Sequence, residues 1–152
     1  MNRTYQLLSI ILLLSFGLTA HAVRAVDNSG TVHYRNGQEV AFTEMGLSTT
    51  GLVYKVVGKL NAQDVTYHFP KLSQIHFLEA DKGYYLTKSK NDVGKIRIVN
   101  RSGAPFILND AYIQIGYLKS PDIGYKYLDP ATNSYRWSSA NIKNNISTII
   151  FN

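Results

Sequence analysis

Cysteine is absent from the 152 residues. No disulfide braces the fold, and no thiolate serves as nucleophile or metal ligand. Long apolar runs are nearly absent as well. The one such stretch, Leu7–Ala20, is shorter than the ~20 residues that a spanning helix needs. Recognisable catalytic spacing is missing throughout. No H-E-x-x-H or H-x-H pattern links the histidines, and "NRSGA" at Asn100–Ala104 lacks the G-x-S-x-G elbow. No glycine-rich phosphate loop occurs, and "DPATNSYRW" lacks the carboxylate spacing of a calcium loop. Glu39, Glu44, Glu79 and Asp110 are candidate carboxylates for a glycosidase pair, yet nothing marks two of them as partners. These absences leave no catalytic residue, metal site or cofactor to name.

What is present starts with an address. Arg3 supplies a positive start, Leu7–Ala20 an apolar core, and Ala20-His21-Ala22 small residues at the positions a signal peptidase must accommodate. This predicts a signal peptide over residues 1–22, with a mature chain starting at Val23. An exported chain without cysteine points to a bacterial periplasmic or secreted protein, since small domains from oxidising pathways are usually disulfide-dense. No integral span is expected after cleavage. The sequons at Asn100 and Asn145 read as chance matches. The net charge of +6, reduced by one with Arg3, supports solubility.

Between these ends the hydrophobic period is two. Tyr54, Val56, Gly58 and Leu60 alternate with Val53, Lys55, Val57 and Lys59; Val65, Tyr67 and Phe69 with Thr66 and His68; and Ala111, Ile113, Ile115 and Tyr117 with Tyr112, Gln114 and Gly116. One apolar and one polar face is what a half-buried antiparallel sheet requires. The fold class expected is all-β. A turn of helix is expected at most at Ser138–Asn144.

The chain also repeats itself. "LSQIHF" at Leu72–Phe77 is rewritten as "ISTIIF" at Ile146–Phe151, and "VHYRNGQEVAF" from Val32 aligns with "IVNRSGAPFIL" from Ile98. Gly37 and Gly103 then occupy equivalent hairpin turns, Asn36-Gly37 being the stronger signal. The expected organisation is a first β unit over 23–80, a linker or joining strand over 81–95, and a second β unit over 96–152. The two units form tandem small barrels or one sandwich. The second unit is longer by a loop around Asp129–Ser134.

This order of strand, glycine turn, strand and closing strand resembles the Sm-like and SH3-like small barrels. It is also similar to small signal-bearing bacterial all-β proteins, of unassigned function, in which the unit is repeated. The resemblance spans about Thr31–Phe77 and Ile96–Phe151, and it implies a fold only. RNA binding, the best-known Sm-like activity, is not carried over, because an exported protein rarely meets RNA. No nucleic-acid partner is expected.

Aromatic content supplies the candidate site. Tyr125, Tyr127, Tyr135 and Trp137 interleave with Lys126 and Arg136, with Tyr117 and Lys119 nearby. Tyr and Trp give large contact area at low entropic cost, and adjacent cations recognise anions. The same tyrosines also suit the core and rim of a small sheet, and His33, His68 and His76 read as solvent-facing strand residues. The function expected is an exported, non-catalytic binding module that recognises an envelope protein or an anionic glycan. The alternatives are a secreted hydrolase and an eight-stranded outer-membrane barrel, although several strands are short of the ~9–11 residues such a barrel needs.

Overall fold

A computed structural model describes residues 28–46, 53–78, 94–142 and 145–152. The expected signal peptide lies outside these residues, as does the expected joining segment 81–95 apart from Gly94 and Lys95.

The described chain is all-β. β1 (Gly30–Tyr34) and β2 (Glu39–Phe42) form a hairpin, and β3 (Glu44–Met45) continues β2 beyond a bend at Thr43. β4 (Tyr54–Leu60) and β5 (Gln63–His68) form the next hairpin, followed by a 3₁₀ turn at Phe69–Lys71 and β6 (Leu72–Phe77). β7 (Gly94–Asn100) returns through β8 (Pro105–Ile115), which ends in the two-residue β9 (Leu118–Lys119). β10 (Asp122–Asp129), β11 (Ser134–Asn141) and β12 (Ile146–Phe151) complete the chain.

All pairings are antiparallel, in the order β2-β1-β12-β6-β7-β8-β4-β5 for the large sheet and β11-β10-β3 for the small one. The described strands do not close into a barrel: β5 and β11 terminate the two sheets. The closed ring that an outer-membrane barrel requires is therefore not formed by these strands.

The two repeated endings meet each other. β6 and β12 are neighbours at the centre of the large sheet, with Ile75 opposite Ile149. Ile75 and Ile149 hold the same place in their motifs, and both strands show one burial pattern, with Leu72, Ile75 and Phe77 buried like Ile146, Ile149 and Phe151. Such self-complementary pairing is what a local two-fold axis produces. Outward from it the order repeats: β12 pairs β1, and β6 pairs β7, so each closing strand docks on the opening hairpin of the other sequence unit. Even the turn arginines correspond. The Arg35 N–H donates to the Asn145 carbonyl at 2.7 Å, and the Arg101 N–H to the Lys71 carbonyl at 3.1 Å, in each case the residue just before the closing strand. In space one half comprises β1–β3 with β10–β12, and the other comprises β4–β9.

Period-two alternation explains the core. The cross-strand row Val32, Ile149, Ile75 and Ile98 is fully buried on one face. His33, Thr148, His76 and Arg97 occupy the opposite, partly exposed face. An aromatic seam crosses the core from Tyr54 through Phe69, Phe151 and Phe42 to Tyr125, with ring centroids 5.4–6.5 Å apart. The Tyr54 hydroxyl accepts the Gly124 N–H at 2.9 Å, tying the two halves together.

Three local expectations change. Ser138–Asn141 are strand, not helix, because the ladder to β10 already satisfies their backbone groups. The extra residues around Asp129–Ser134 lengthen a hairpin arm rather than a loop: pairing persists to Asp129 opposite Ser134, and residues 130–133 make a tight turn with Asn133 at φ 50°. The strand expected to reach Tyr117 stops at Ile115. Gly116, at φ 57°, turns the chain into β9 and leaves Tyr117 at the tip, 99% exposed.

Candidate functional site

All six predicted binding residues lie on the β10–β11 hairpin, and pleating divides them between its faces. Directly opposite residues share a face. Tyr125, Tyr127 and Arg136 share one: Tyr127 stands opposite Arg136, and Tyr125 lies two residues from Tyr127. Lys126 stands opposite Trp137, and Leu128 opposite Tyr135, on the other face.

The first face belongs to the core. Tyr125 is buried against Phe42, and Tyr127 is half-buried with its ring 6.1 Å from that of Tyr125. The hydroxyls of Tyr34 and Tyr125 hydrogen-bond to each other. Burial, then that hydrogen bond, pushes the Tyr34 phenol well above its ordinary value, so it stays protonated. Arg136 sits at the open edge of this face, its Nε 3.0 Å from Asp129 Oδ2. Asp129 also accepts the Ala131 N–H at 2.9 Å and the Thr132 hydroxyl at 3.0 Å. The Ala131 bond first, then that of Thr132, holds its carboxyl below the usual range, with Arg136 contributing further. The arm is thus pinned at its turn.

The second face is the exposed one. Tyr135 is 59% exposed, Leu128 46% and Trp137 40%, a run of apolar surface on an eight-residue edge strand and its neighbour. Lys126 lies among them, with Nζ 3.2 Å from Glu44 Oε1 and 5.5 Å from the Tyr135 ring centroid. Its charge is shared between a carboxylate and a ring face.

Beside this face runs a groove that the sequence did not disclose. It has a volume of about 580 Å³, and Val40, Phe42, Tyr127, Leu128, Pro130 and Tyr135 line it. β3 and β10 are paired at Tyr125 and Lys126, and the Thr43 N–H reaches the Lys126 carbonyl at 2.8 Å. Beyond that bond β2 and β10 separate, and the groove opens between them. The only advance sign was Glu39 aligning with Pro105, whose meaning depends on both being edge positions.

The histidines gather no metal set, and no cluster of three His, Cys, Asp or Glu occurs among the described residues. His33 Nδ1 lies 3.0 Å from Glu39 Oε1. His76 contacts Gln74 at 2.9 Å and Thr148 at 3.3 Å. Partial burial, then the charges of Arg97 and His33, lower the His76 pKa. Both rings are partly buried on the outer sheet face, whereas His68 is exposed.

Lys119, expected near the cluster, instead lies over the Tyr112 ring, 4.3 Å from its centroid. Among the described residues no helix is long and apolar enough to cross a membrane. No protein-family model, no curated protein and no solved structure matches the chain.

Proposed function

We propose that this protein is an exported, non-catalytic binding module of the cell envelope, and that the β10–β11 hairpin is its contact surface. One observation carries the reading: Leu128, Tyr135 and Trp137 stand exposed together on one face of a pinned hairpin arm. Exposed apolar area gathered in one place marks an interaction site far better than scattered residues do, and Tyr and Trp are the side chains that most often anchor one.

An envelope protein fits this surface better than an anionic glycan. Both cations of the hairpin, Lys126 and Arg136, are already engaged by carboxylates, Glu44 and Asp129. What remains at the surface is apolar contact area with a polar rim, the anatomy of a protein interface.

The test is retention. Tagged mature protein is passed over the envelope fraction of its source cell, beside a Tyr135→Ser/Trp137→Ser variant that retains the native circular-dichroism spectrum. A protein partner held by the wild type and lost by the variant is the expected result. Equal retention by both, or retention only of anionic polysaccharide that is released by salt, refutes it.

A further inference from the structure

The two halves are built alike, so the places where they differ are informative. In the half containing β8, residues 105–108 of that strand pair with β7 but not with β4, and this short free edge opens with Pro105, which has no N–H to offer a neighbouring strand. Its hairpin β4–β5 ends early, turning at Asn61 and Ala62 straight after Leu60. In the other half Glu39 takes the place of Pro105, and the β10–β11 arm extends to Asp129 and Ser134. One half therefore has a blunted edge, and the other an open edge facing a wall.

Backbone parity shows what that edge presents. The Gln38 carbonyl accepts the Tyr34 N–H and so points toward β1, while the Thr43 N–H points away to Lys126. Alternate residues of a strand direct their backbone groups to opposite sides. Glu39 and Ala41 therefore aim N–H and C=O away from β1, into the groove. Neither has a backbone partner there among the described residues. Leu128 and Tyr135 form the opposite wall.

Charge specifies the visitor further. A polar row crosses five strands on the outer face, from Arg97 through His76, Thr148 and His33 to Glu39. It ends at the edge on the Glu39 carboxylate, whose Oε1 lies 3.0 Å from His33 Nδ1 while the side chain stays 63% exposed, which leaves Oε2 for a second partner. A residue directly opposite Glu39 on an added strand is favoured when it is basic, because opposite charges in cross-strand pairs stabilise. Opposite Val40, on the other face, the groove offers Tyr127 and Phe42, which favour an apolar residue.

We infer that the groove receives an extended segment of the partner protein, which adds as a strand to β2. The segment has apolar residues at alternate positions and a Lys or Arg opposite Glu39. This is recognition by strand addition, with the main chain supplying affinity and alternate side chains supplying specificity. The inference rests on the binding-module reading, and it names the edge that does the binding.

The probe is a set of blocked ten-residue peptides that alternate Leu or Val with Thr, carrying one Lys at each even position in turn. The readouts are amide shifts and amide-exchange protection in isotope-labelled mature protein. The expected result is saturable binding by members of the set, with the Glu39 and Ala41 amides shifted and gaining protection. Ala41→Pro removes one edge N–H without touching the bonds to β1, and it should weaken binding at least tenfold. Glu39→Lys should reverse the preference for Lys over Glu in the peptide, which keeps the test open if the proline variant fails to fold.

Absence of binding by any peptide overturns the inference, as does binding that protects β5 or β11 instead. So does protection of Glu39 and Ala41 by protein concentration alone, which would make a second copy the occupant. If Ala41→Pro retains the envelope partner while Tyr135→Ser/Trp137→Ser loses it, strand addition fails and the module reading survives. If neither variant loses it, both fail.

Discussion

Replacing Phe151 with alanine tests the interleaved core most directly. Phe151 is 5% exposed, and its ring sits edge-on to Phe42 and Phe69 at 5.9 and 5.7 Å. It thus bridges the core from β2 to the 3₁₀ turn that precedes β6. Truncating a buried Phe to Ala costs ~3–5 kcal/mol, from lost transfer energy and the cavity left behind. Each edge-to-face pair adds about 0.5–1.5 kcal/mol beyond area burial, which places this site toward the upper end. Phe77→Ala, at the matching position of β6 and 3% exposed, belongs in the same range of about 3–5 kcal/mol. Ile150→Ser changes the neighbouring residue, which points to the partly exposed outer face, and it should cost about 1 kcal/mol or less. Urea unfolding of the chain from Val23 onward, followed by far-ultraviolet circular dichroism, reads all three. With a slope of about 2 kcal/mol per molar urea, a loss of about 4 kcal/mol lowers the midpoint by roughly 2 M. Equal sensitivity at 150 and 151 would mean that β12 is buried on both faces, and the arrangement described would be wrong.

Further outcomes follow from single contacts. Gly30→Ala places a Cβ 2.0 Å from the Ile150 carbonyl oxygen, a backbone atom that cannot step aside, so the β1–β12 pairing should weaken by ~1–3 kcal/mol in the same urea assay. Gly37→Ala meets no atom within 4 Å, and its cost of about 1 kcal/mol should come only from φ at +88°. His76 has a folded-state pKa below its unfolded value, so the folded protein resists protonation there. Stability is full above the ordinary histidine pKa and falls as pH drops through the lower folded value, and His76→Gln should flatten that slope in midpoints measured from pH 7.5 to pH 5. Acrylamide should quench Trp137 readily in the folded protein, since the residue is 40% exposed. A blue-shifted, protected indole would remove the platform on which the proposed contact surface depends.

Much of this was legible from local pattern. Strand identity followed from period-two alternation, because a half-buried sheet needs an apolar residue at every second position, as at Tyr54, Val56 and Gly58. The hairpin turns followed from Gly37 and Gly103, which take φ of +88° and +87° in equivalent turns. The likeness of the two closing strands was also in the sequence, which put Ile75 with Phe77 and Ile149 with Phe151 on one buried face; the register shifts that turn Leu72 and Ile146 inward as well were not. Parity placed Tyr125 with Tyr127, and Tyr135 with Trp137.

Parity could not say which pair turns inward, since alternation defines two faces without naming the buried one. Packing decided that: Tyr125 is buried against Phe42 and bonded to Tyr34, whereas Tyr135 and Trp137 on β11 stay 59% and 40% exposed. Nor could local pattern reveal that each closing strand pairs with the other unit. Ile75 and Ile149 are equally apolar whichever neighbour they take, and long-range pairing is chosen by the burial of the whole sheet. The groove belongs to the same class of fact. Glu39 and Pro105 were visible as letters, but only the tertiary structure makes both of them edge positions and sets the longer hairpin arm opposite the open one.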